Sequence, residues 1–217
     1  MWLARTISHV NDDSTSVRPE MMSQVLGVVL AGGASTRMGT DKSMLIHPDG
    51  QTLLSRSVEK LRLATDSVVI AGGEHQLAGF PTLPDLESEL GPMMGVVTGM
   101  TWARDKGFDA ILVCAVDYPN IHLASLEAIA SQWRRTRVDC VCAQDTHEKM
   151  IQPLIAAYSI ALLSDFEILL QSRHRSLKRW LSNSNPATVS VPTDQLLNIN
   201  HPSDWNSLSH MTSSSHS

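Results

Sequence analysis

The residues with the clearest chemical potential lie in a glycine-rich segment, residues 30–42, with the sequence LAGGASTRMGTDK. Gly32 and Gly33 allow the backbone to approach a ligand closely and to direct successive N–H groups at an anion. Arg37 and Lys42 add two cations to the same segment. This combination favours a binding site for a polyphosphate.

Two common phosphate-binding loops are excluded by their spacing. A P-loop ends in Gly-Lys-Ser/Thr, whereas Gly39 is followed here by Thr40. The dinucleotide-binding fingerprint, Gly-x-Gly-x-x-Gly, is also absent from the segment. Taken alone, the segment leaves one further interpretation open, a glycine-rich turn at the end of a strand with two solvated cations.

Length and composition indicate a single α/β domain. The chain has 217 residues, of which 42% are hydrophobic and 5% aromatic, and this is typical of a buried parallel sheet covered by helices. The net charge of −5 argues against non-specific binding to nucleic acid. Three cysteines form no C-x-x-C pair and are interpreted as small buried residues in a reducing compartment. Since neither a membrane helix nor a signal peptide is recognisable, we expect a cytoplasmic protein.

Strand-like and helix-like patterns alternate between two polar ends. We predict strands at residues 25–31, 67–71, 110–116, 138–143, 153–158 and 187–191. We predict helices at residues 53–63, 93–105, 123–135, 160–171 and 177–181. This alternation predicts an α/β fold with a single doubly wound, mostly parallel sheet and helices on both faces. We expect a flexible N-terminal extension at residues 1–24, the domain at 25–208 and a disordered tail at 209–217.

A carboxylate follows one of the predicted strands. The apolar run at residues 110–116 is followed by Asp117, and Pro119 comes two residues later. An aspartate in this position is either a turn residue or a ligand for Mg²⁺, which binds through one or two carboxylates together with substrate phosphates. The C-terminal ends of parallel strands meet at one edge of the sheet, so Asp117 and the glycine-rich segment should be neighbours. That arrangement favours the magnesium interpretation.

Further polar residues are expected at the same edge. Asp85 precedes residues 91–95, GPMMG, where a helix is predicted to begin, and it could accept hydrogen bonds from a base or a ribose. A structural turn at the start of that helix is compatible with the same residues. Residues 152–154, QPL, and 197–202, LNINHP, place polar groups at strand edges, where they either contact a second substrate or form structural turns.

Together these motifs resemble those of the molybdenum cofactor guanylyltransferase family, the MobA-like branch of the nucleotidyltransferases. The family opens with Leu-Ala-Gly-Gly-x-Ser-x-Arg-Met-Gly-x-Asp-Lys, and residues 30–42 match this pattern throughout. Val116 replaces the usual Cys of the family's Cys-Asp-x-Pro metal motif. The other segments that resemble the family are residues 91–95, 116–119, 152–154 and 198–202.

The resemblance implies a Rossmann-like nucleotidyltransferase and a specific reaction. GMP would pass from GTP to the phosphate of molybdenum-bound molybdopterin, giving the guanine dinucleotide cofactor and pyrophosphate, with Mg²⁺ as the metal. Asn198 and Asn200 would face the pterin substrate, and Asn200 favours the guanylyl branch because many sugar-phosphate relatives place a metal-binding Asp there. Further partners would be other cofactor-biosynthesis proteins and recipient molybdoenzymes, with no nucleic acid or membrane involved.

The resemblance also assigns the nucleotide and metal contacts. Asp117 would hold Mg²⁺, Arg37 and Lys42 would balance phosphate charge, and these three are the expected catalytic residues. Asp85 would seat the nucleoside. The backbone expected around the nucleotide belongs to Leu30, Ala31, Gly32 and Gly33.

Three alternatives remain open at the level of the sequence. Two are enzymes of the same fold, a cytidylyltransferase acting on molybdopterin and a nucleotidyltransferase acting on a sugar phosphate. The third is a GTP-binding module without catalysis, which would bind GTP and release no pyrophosphate.

Overall fold

Strands and helices alternate along the chain. The structure is a computed structural model that describes residues 23–32, 41–73, 77–84, 91–172, 175–199 and 204. Within these residues the strands are β1 (Val25–Leu30), β2 (Ser67–Ala71), β3 (Thr82–Leu83), β4 (Ala110–Ala115), β5 (Cys140–Asp145), β6 (Ile151–Ser159) and β7 (Ala187–Val191). The α-helices are α1 (Leu53–Ala64), α2 (Pro92–Asp105), α3 (Leu123–Thr136), α4 (Leu163–Gln171) and α5 (Leu177–Asn183).

These seven strands form one sheet in the order β3-β2-β1-β4-β6-β5-β7. Strand β6 is antiparallel to its neighbours β4 and β5, and the other pairs are parallel. The central strands β1 and β4 are buried along their whole length. Continuous apolar strands of this kind are stable only where helices cover both faces of the sheet.

Helices cover the two faces of β1. A Cβ atom added to Gly27 would lie 3.1 Å from Leu61 Cβ of α1, and one added to Gly99 of α2 would lie 2.8 Å from Val28 Cγ2. Since consecutive strand residues point to opposite faces, α1 and α2 lie on opposite sides of the sheet. Helix α3 packs beside α1, and α4 packs beside α2. The predicted doubly wound, mostly parallel fold is therefore confirmed.

Several strand and helix boundaries differ from the predicted ones by one to three residues; β6 and α5, for example, are longer than predicted. Strand β5 begins at Cys140 rather than at residue 138, and the Val138 carbonyl accepts a hydrogen bond of 2.9 Å from Trp133 Nε1 instead of one from a neighbouring strand. Helix α4 is preceded by a 3-10 turn at Ile160–Leu162 inside the predicted helix 160–171. Strand β3 was not predicted, since two residues are too short for a periodic pattern.

The two chain ends lie largely outside the described residues. Residues 1–22 and 209–217 lie outside the described residues, so the flexible extension at 1–24 and the disordered tail stay predictions. None of the described helices is long and apolar enough to cross a membrane.

A close helix–sheet contact at Gly99 provides a test of this packing. Replacing Gly99 by Ala should lower the free energy of unfolding by about 1 kcal/mol. Overpacking a core costs about 1–3 kcal/mol, which exceeds the gain in helix propensity of about 1 kcal/mol. Val28 is fully buried and β-branched, so it cannot move aside easily. Urea unfolding measures the change, and the exposed Arg104→Ala on the same helix is the control. A Gly99→Ala protein as stable as the wild type would contradict this packing.

Candidate active site

An ion pair joins the glycine-rich segment to the end of β4. Lys42 Nζ lies 3.3 Å from Asp117 Oδ1, and the two side chains are 15% and 29% exposed. Lys42 opens a short 3-10 turn whose N-cap is Asp41, and Asp41 Oδ1 accepts a hydrogen bond of 3.0 Å from Ser43 N. The cap fixes the backbone from which Lys42 reaches Asp117. The structure thus brings together two residues that lie 75 positions apart.

The electrostatic state of Asp117 reflects two opposing effects. Burial raises the pKa of its carboxyl group, because water stabilises the charged form better than protein does. The positive charge of Lys42 and its hydrogen bond work in the opposite direction. Asp117 is therefore a half-buried carboxylate whose cationic partner among the described residues is Lys42, and its oxygens are hard donors of the kind that divalent metal ions prefer.

The end of β1 forms the second part of the site. The Leu30 carbonyl accepts a hydrogen bond of 3.2 Å from Val116 N, and Ala31 N donates one of 3.0 Å to the Ala71 carbonyl. These bonds hold the end of β1 between its two neighbours, and the chain then leaves the sheet at Gly32, which is exposed. The Ala31 N–H group has a single proton, which is already donated to the Ala71 carbonyl. A nucleotide that accepted this proton would therefore compete with a hydrogen bond of the sheet.

The N-terminus of α2 approaches the same place. Gly91 has a φ of 66°, a conformation that glycine adopts without strain, and Pro92 then begins the helix. A Cβ atom added to Gly95 would lie 2.7 Å from Leu30 Cδ2 and 3.6 Å from Ala71 Cβ. The first turn of α2 is therefore held directly against the ends of β1 and β2, where its positive end favours an anion.

The segment around Asn198 closes the other side. Ile199 N donates a hydrogen bond of 3.0 Å to the Asp117 carbonyl, so Asn198 lies beside the end of β4. Asn198 Oδ1 is buried and has no hydrogen-bond partner among the described residues. Leu53 and Ile199 pack together beneath this segment, with Leu45 against them. The structure therefore places Asn198 with Lys42 and Asp117.

Tyr118 lies next to Asp117 and is 5% exposed. Its hydroxyl donates a hydrogen bond of 3.0 Å to Gln152 Oε1 at the start of β6. Burial raises the pKa of Tyr118, while a hydrogen bond from the Asn198 side chain lowers it. Sequence reasoning named Gln152 as a polar group at a strand edge but missed Tyr118.

Lys60 is a second residue that the sequence did not reveal. Its ammonium group donates a hydrogen bond of 3.0 Å to the Pro119 carbonyl and so anchors the turn after Asp117. Burial, together with the charge of Arg56, lowers the pKa of Lys60 to about 8. Burial, followed by the charges of Arg56 and Lys60, lowers the pKa of His47 to about 4. No local sequence pattern predicts the contact between Lys60 and Pro119, which are 59 positions apart in the chain.

Another carboxylate at this edge of the sheet has a structural role. Asp145 ends β5, and its Oδ1 accepts hydrogen bonds from His147 N at 2.7 Å, Glu148 N at 2.9 Å and Thr193 Oγ1 at 3.0 Å. These bonds, with that from Glu148 first, lower the pKa of Asp145. Because Oδ1 already accepts three hydrogen bonds within the turn, Asp145 holds the chain after β5 in place.

The described residues contain no group of three or more His, Cys, Asp or Glu side chains that could hold a metal ion by themselves. Asp117 therefore fits a cation that takes most of its remaining ligands from phosphates and water. Four predicted site residues lie outside the described residues, and their roles stay predictions. They are Gly33, Arg37, Asp85 and Asn200.

Comparisons with known proteins show to which family and relatives this chain is similar. A family model described as a MobA-like NTP transferase domain matches residues 27–189. A protein of Rhodopirellula baltica named probable molybdenum cofactor guanylyltransferase is 37% identical over 188 residues, or 83% of this chain and 89% of that protein. A protein of the same name from Synechococcus elongatus is 32% identical over 83% of this chain and 96% of its own length.

A solved structure shows the same fold. The crystal structure of molybdopterin-guanine dinucleotide biosynthesis protein A from Archaeoglobus fulgidus superposes with a TM-score of 0.68 at 19% identity. The match covers 87% of this chain and 99% of that one. At this identity the likeness establishes the arrangement of strands and helices and leaves the substrate to other evidence.

The ion pair predicts how Asp117 titrates. Replacing Lys42 by Met should raise the pKa of Asp117 further, because the charge and hydrogen bond that oppose the effect of burial are lost. At a given acidic pH, a smaller fraction of Asp117 would then be ionised. Carboxyl-carbon NMR follows the titration, with Asp117→Asn used to assign the signal. Arg62→Met, an exposed residue paired with Glu59 on α1, should leave the pKa unchanged. An unchanged or lower pKa in Lys42→Met would contradict the described contact.

Proposed function

Because this chain belongs to the MobA-like NTP transferase family, we propose that it transfers GMP from GTP to the phosphate of molybdenum-bound molybdopterin. The products are the molybdopterin guanine dinucleotide cofactor and pyrophosphate. The observation that carries the proposal is the Lys42–Asp117 pair at the C-terminal edge of β1 and β4, in a chain whose relatives are named molybdenum cofactor guanylyltransferases.

The proposed reaction requires that the two phosphates are aligned and that their charge is neutralised. It does not require a general base. A terminal phosphate oxygen of molybdopterin attacks the α-phosphorus of GTP, and the bond from that phosphorus to the pyrophosphate oxygen breaks. The second pKa of a phosphate monoester is about 6, so the attacking oxygen is already largely ionised at neutral pH. Catalysis then depends on holding the two phosphates in line and neutralising the charge that builds up on them.

The described residues supply these needs as follows. Lys42 provides a positive charge beside the phosphates, held in place by the turn that Asp41 caps. Asp117 would hold Mg²⁺, which when bound neutralises phosphate charge. The N-terminus of α2 and the end of β1 at Gly32 face the nucleotide. They contact it through backbone groups rather than through charged side chains. Arg37, Gly33 and Asp85 are proposed to complete the nucleotide site from outside the described residues.

Acceptor binding is proposed for the opposite side of the pair. Asn198 lies beside Asp117, and its buried Oδ1 lacks a partner among the described residues, so a ligand group can satisfy it. Asn200 is proposed to assist it. The cytoplasmic location stays a prediction. Two kinds of partner also stay predictions, namely other cofactor-biosynthesis proteins and recipient molybdoenzymes.

Pyrophosphate release tests the proposed function directly. The protein is supplied with Mg²⁺ and molybdopterin, and GTP, CTP, ATP and UTP are offered in parallel. We expect release with GTP. Release with CTP alone would show a cytidylyltransferase, and GTP binding without release from any nucleotide would show a binding module. Either of these results would overturn the guanylyltransferase proposal.

Two variants test the assignment of the ion pair. Lys42→Ala and Asp117→Ala should each lower kcat by about 10²-fold or more, the loss typical of one electrostatic contact to a transition state. The exposed Arg62→Ala is the matched control and should keep wild-type turnover. Circular dichroism shows whether the variants fold. A folded Lys42→Ala or Asp117→Ala protein with full turnover would exclude that residue from catalysis.

A further inference from the structure

Lys60 of α1 is a half-buried lysine whose charged end lies at the turn after β4. Its Nζ donates a hydrogen bond of 3.0 Å to the carbonyl of Pro119, and Pro119 is itself buried. An ammonium group is strongly hydrated, so burying it is unfavourable unless it gains a well-placed acceptor. The Pro119 carbonyl supplies that acceptor, although the reaction proposed above does not use Lys60.

The strand register shows which face of the sheet Lys60 covers. Gly27 of β1 faces α1, because a Cβ atom added there would lie 3.1 Å from Leu61 Cβ. Val29 points to the same face, two residues later, and is paired with Cys114 of β4. Cys114 is fully buried on this face. Lys60 therefore extends from α1 across the end of β4 before it reaches the turn.

The turn that carries Asp117 is held by hydrogen bonds from three segments. The Tyr118 N–H group donates to the Ala115 carbonyl at 3.3 Å, which closes the turn itself. Ile199 N donates to the Asp117 carbonyl at 3.0 Å, and Lys60 donates from α1. Of these three donors only Lys60 is charged, and a charged donor forms a hydrogen bond about twice as strong as a neutral one. Lys60 therefore supplies the charge-assisted restraint on this turn.

We propose that Lys60 is a positioning residue, which holds the turn after β4 so that the Asp117 carboxylate is presented to a divalent cation. It acts through the Pro119 carbonyl and not through contact with the metal. Groups that orient a metal ligand in this way contribute about 10–100-fold to metal affinity or activity. That Asp117 binds a metal rests on the function proposed above, whereas the role of Lys60 in ordering the turn does not.

The charge of Lys60 can be removed by a moderate change of pH. Burial and then the charge of Arg56 lower the pKa of Lys60 to about 8, and Cys114 on β4 opposes this effect. Lys60 is therefore protonated at neutral pH and loses its charge as the pH rises through about 8. His47, whose pKa is about 4, stays neutral throughout this range. Lys60→Arg would keep its charge, because a guanidinium group stays protonated.

Amide hydrogen exchange tests the order of the turn without any ligand. Lys60→Met removes the donor and the charge but keeps a side chain of similar length, whereas Lys60→Arg keeps both. The Ile121 and Ile199 amides report on the turn, because they donate to the carbonyls of Tyr118 and Asp117. We expect exchange at these two amides to be about tenfold faster in Lys60→Met and nearly unchanged in Lys60→Arg.

Two controls separate an effect on the turn from a loss of overall stability. The Ile70 amide of β2 donates to the Pro81 carbonyl at 2.9 Å, away from the turn, and should exchange at the wild-type rate in Lys60→Met. Arg62→Met removes an exposed cation from the same helix and should leave all three amides unchanged.

Binding of Mn²⁺ in the presence of GTP, followed by electron paramagnetic resonance, provides the second measurement. At neutral pH the dissociation constant should rise about tenfold in Lys60→Met and stay within about threefold of the wild type in Lys60→Arg and Arg62→Met. As the pH rises through about 8, the affinity should fall severalfold in the wild type but not in Lys60→Arg. Turnover of Lys60→Met should fall about tenfold at limiting Mg²⁺ and recover largely at saturating Mg²⁺.

The outcomes distinguish this proposal from the proposed function. If the wild type releases no pyrophosphate while exchange at Ile121 and Ile199 changes as expected, the proposed function fails and the role of Lys60 in ordering the turn stands. Equal exchange at these amides in Lys60→Met and the wild type would overturn the positioning role. Equally accelerated exchange at Ile70 would overturn it too, since Lys60 would then serve only overall stability.

The metal measurements can also overturn the proposal. Tighter binding of Mn²⁺ by Lys60→Met would show that the ammonium group only repels the metal. The pH comparison between the wild type and Lys60→Arg does not depend on a variant that has lost a hydrogen bond. An equal change of affinity with pH in these two proteins would remove Lys60 from the metal site.

Discussion

Parallel pairing of β1 with β4 is the constraint on which the candidate site depends. Both strands are wholly buried, and their register places Leu30 opposite Ala115. The register continues one residue beyond the strands, since Val116 N donates to the Leu30 carbonyl. The glycine-rich segment and Asp117 therefore leave the sheet from adjacent positions. Every other feature of the site is arranged around this meeting point.

The environment of each carboxylate at this edge decides what it can do. Asp117 has Lys42 as its charged partner and keeps oxygens directed at the site, whereas Asp145 gives Oδ1 to three donors in its own turn. A buried carboxylate without a partner would be strongly unfavourable, so both need compensation. A long side chain such as lysine can interact with a bound phosphate as well as with the carboxylate. Backbone N–H groups that close a turn cannot move away from the carboxylate that they bind.

The reversed direction of β6 has a consequence for the acceptor side. In a fully parallel sheet, the start of a strand lies at the edge opposite to the ligands. Because β6 is antiparallel to β4 and β5, its first residues lie instead at the edge where those strands end. Gln152 can therefore reach Tyr118, and the sheet provides polar groups from a strand start as well as from strand ends.

The sequence by itself determined most of the elements and predicted the chemistry of the central motif. Long apolar runs and helical stripes identified nearly all strands and helices, because burial imposes a repeating pattern on neighbouring residues. The glycine-rich segment and Asp117 were recognisable for a similar reason, since each depends on residue types that are close together in the chain. Residues with this kind of local signature were predicted correctly as neighbours at one edge of the sheet.

Only the tertiary structure decided which side chains support that motif. Lys60 reaches the Pro119 carbonyl across 59 positions, and Tyr118 reaches Gln152 across 34. Neither contact produces a periodic pattern in the sequence, because each depends on how distant elements pack together and on the direction of a single strand. The antiparallel β6 likewise follows from packing and not from its own composition. Local patterns record which residues are buried, whereas hydrogen-bond partners are selected only when distant segments meet.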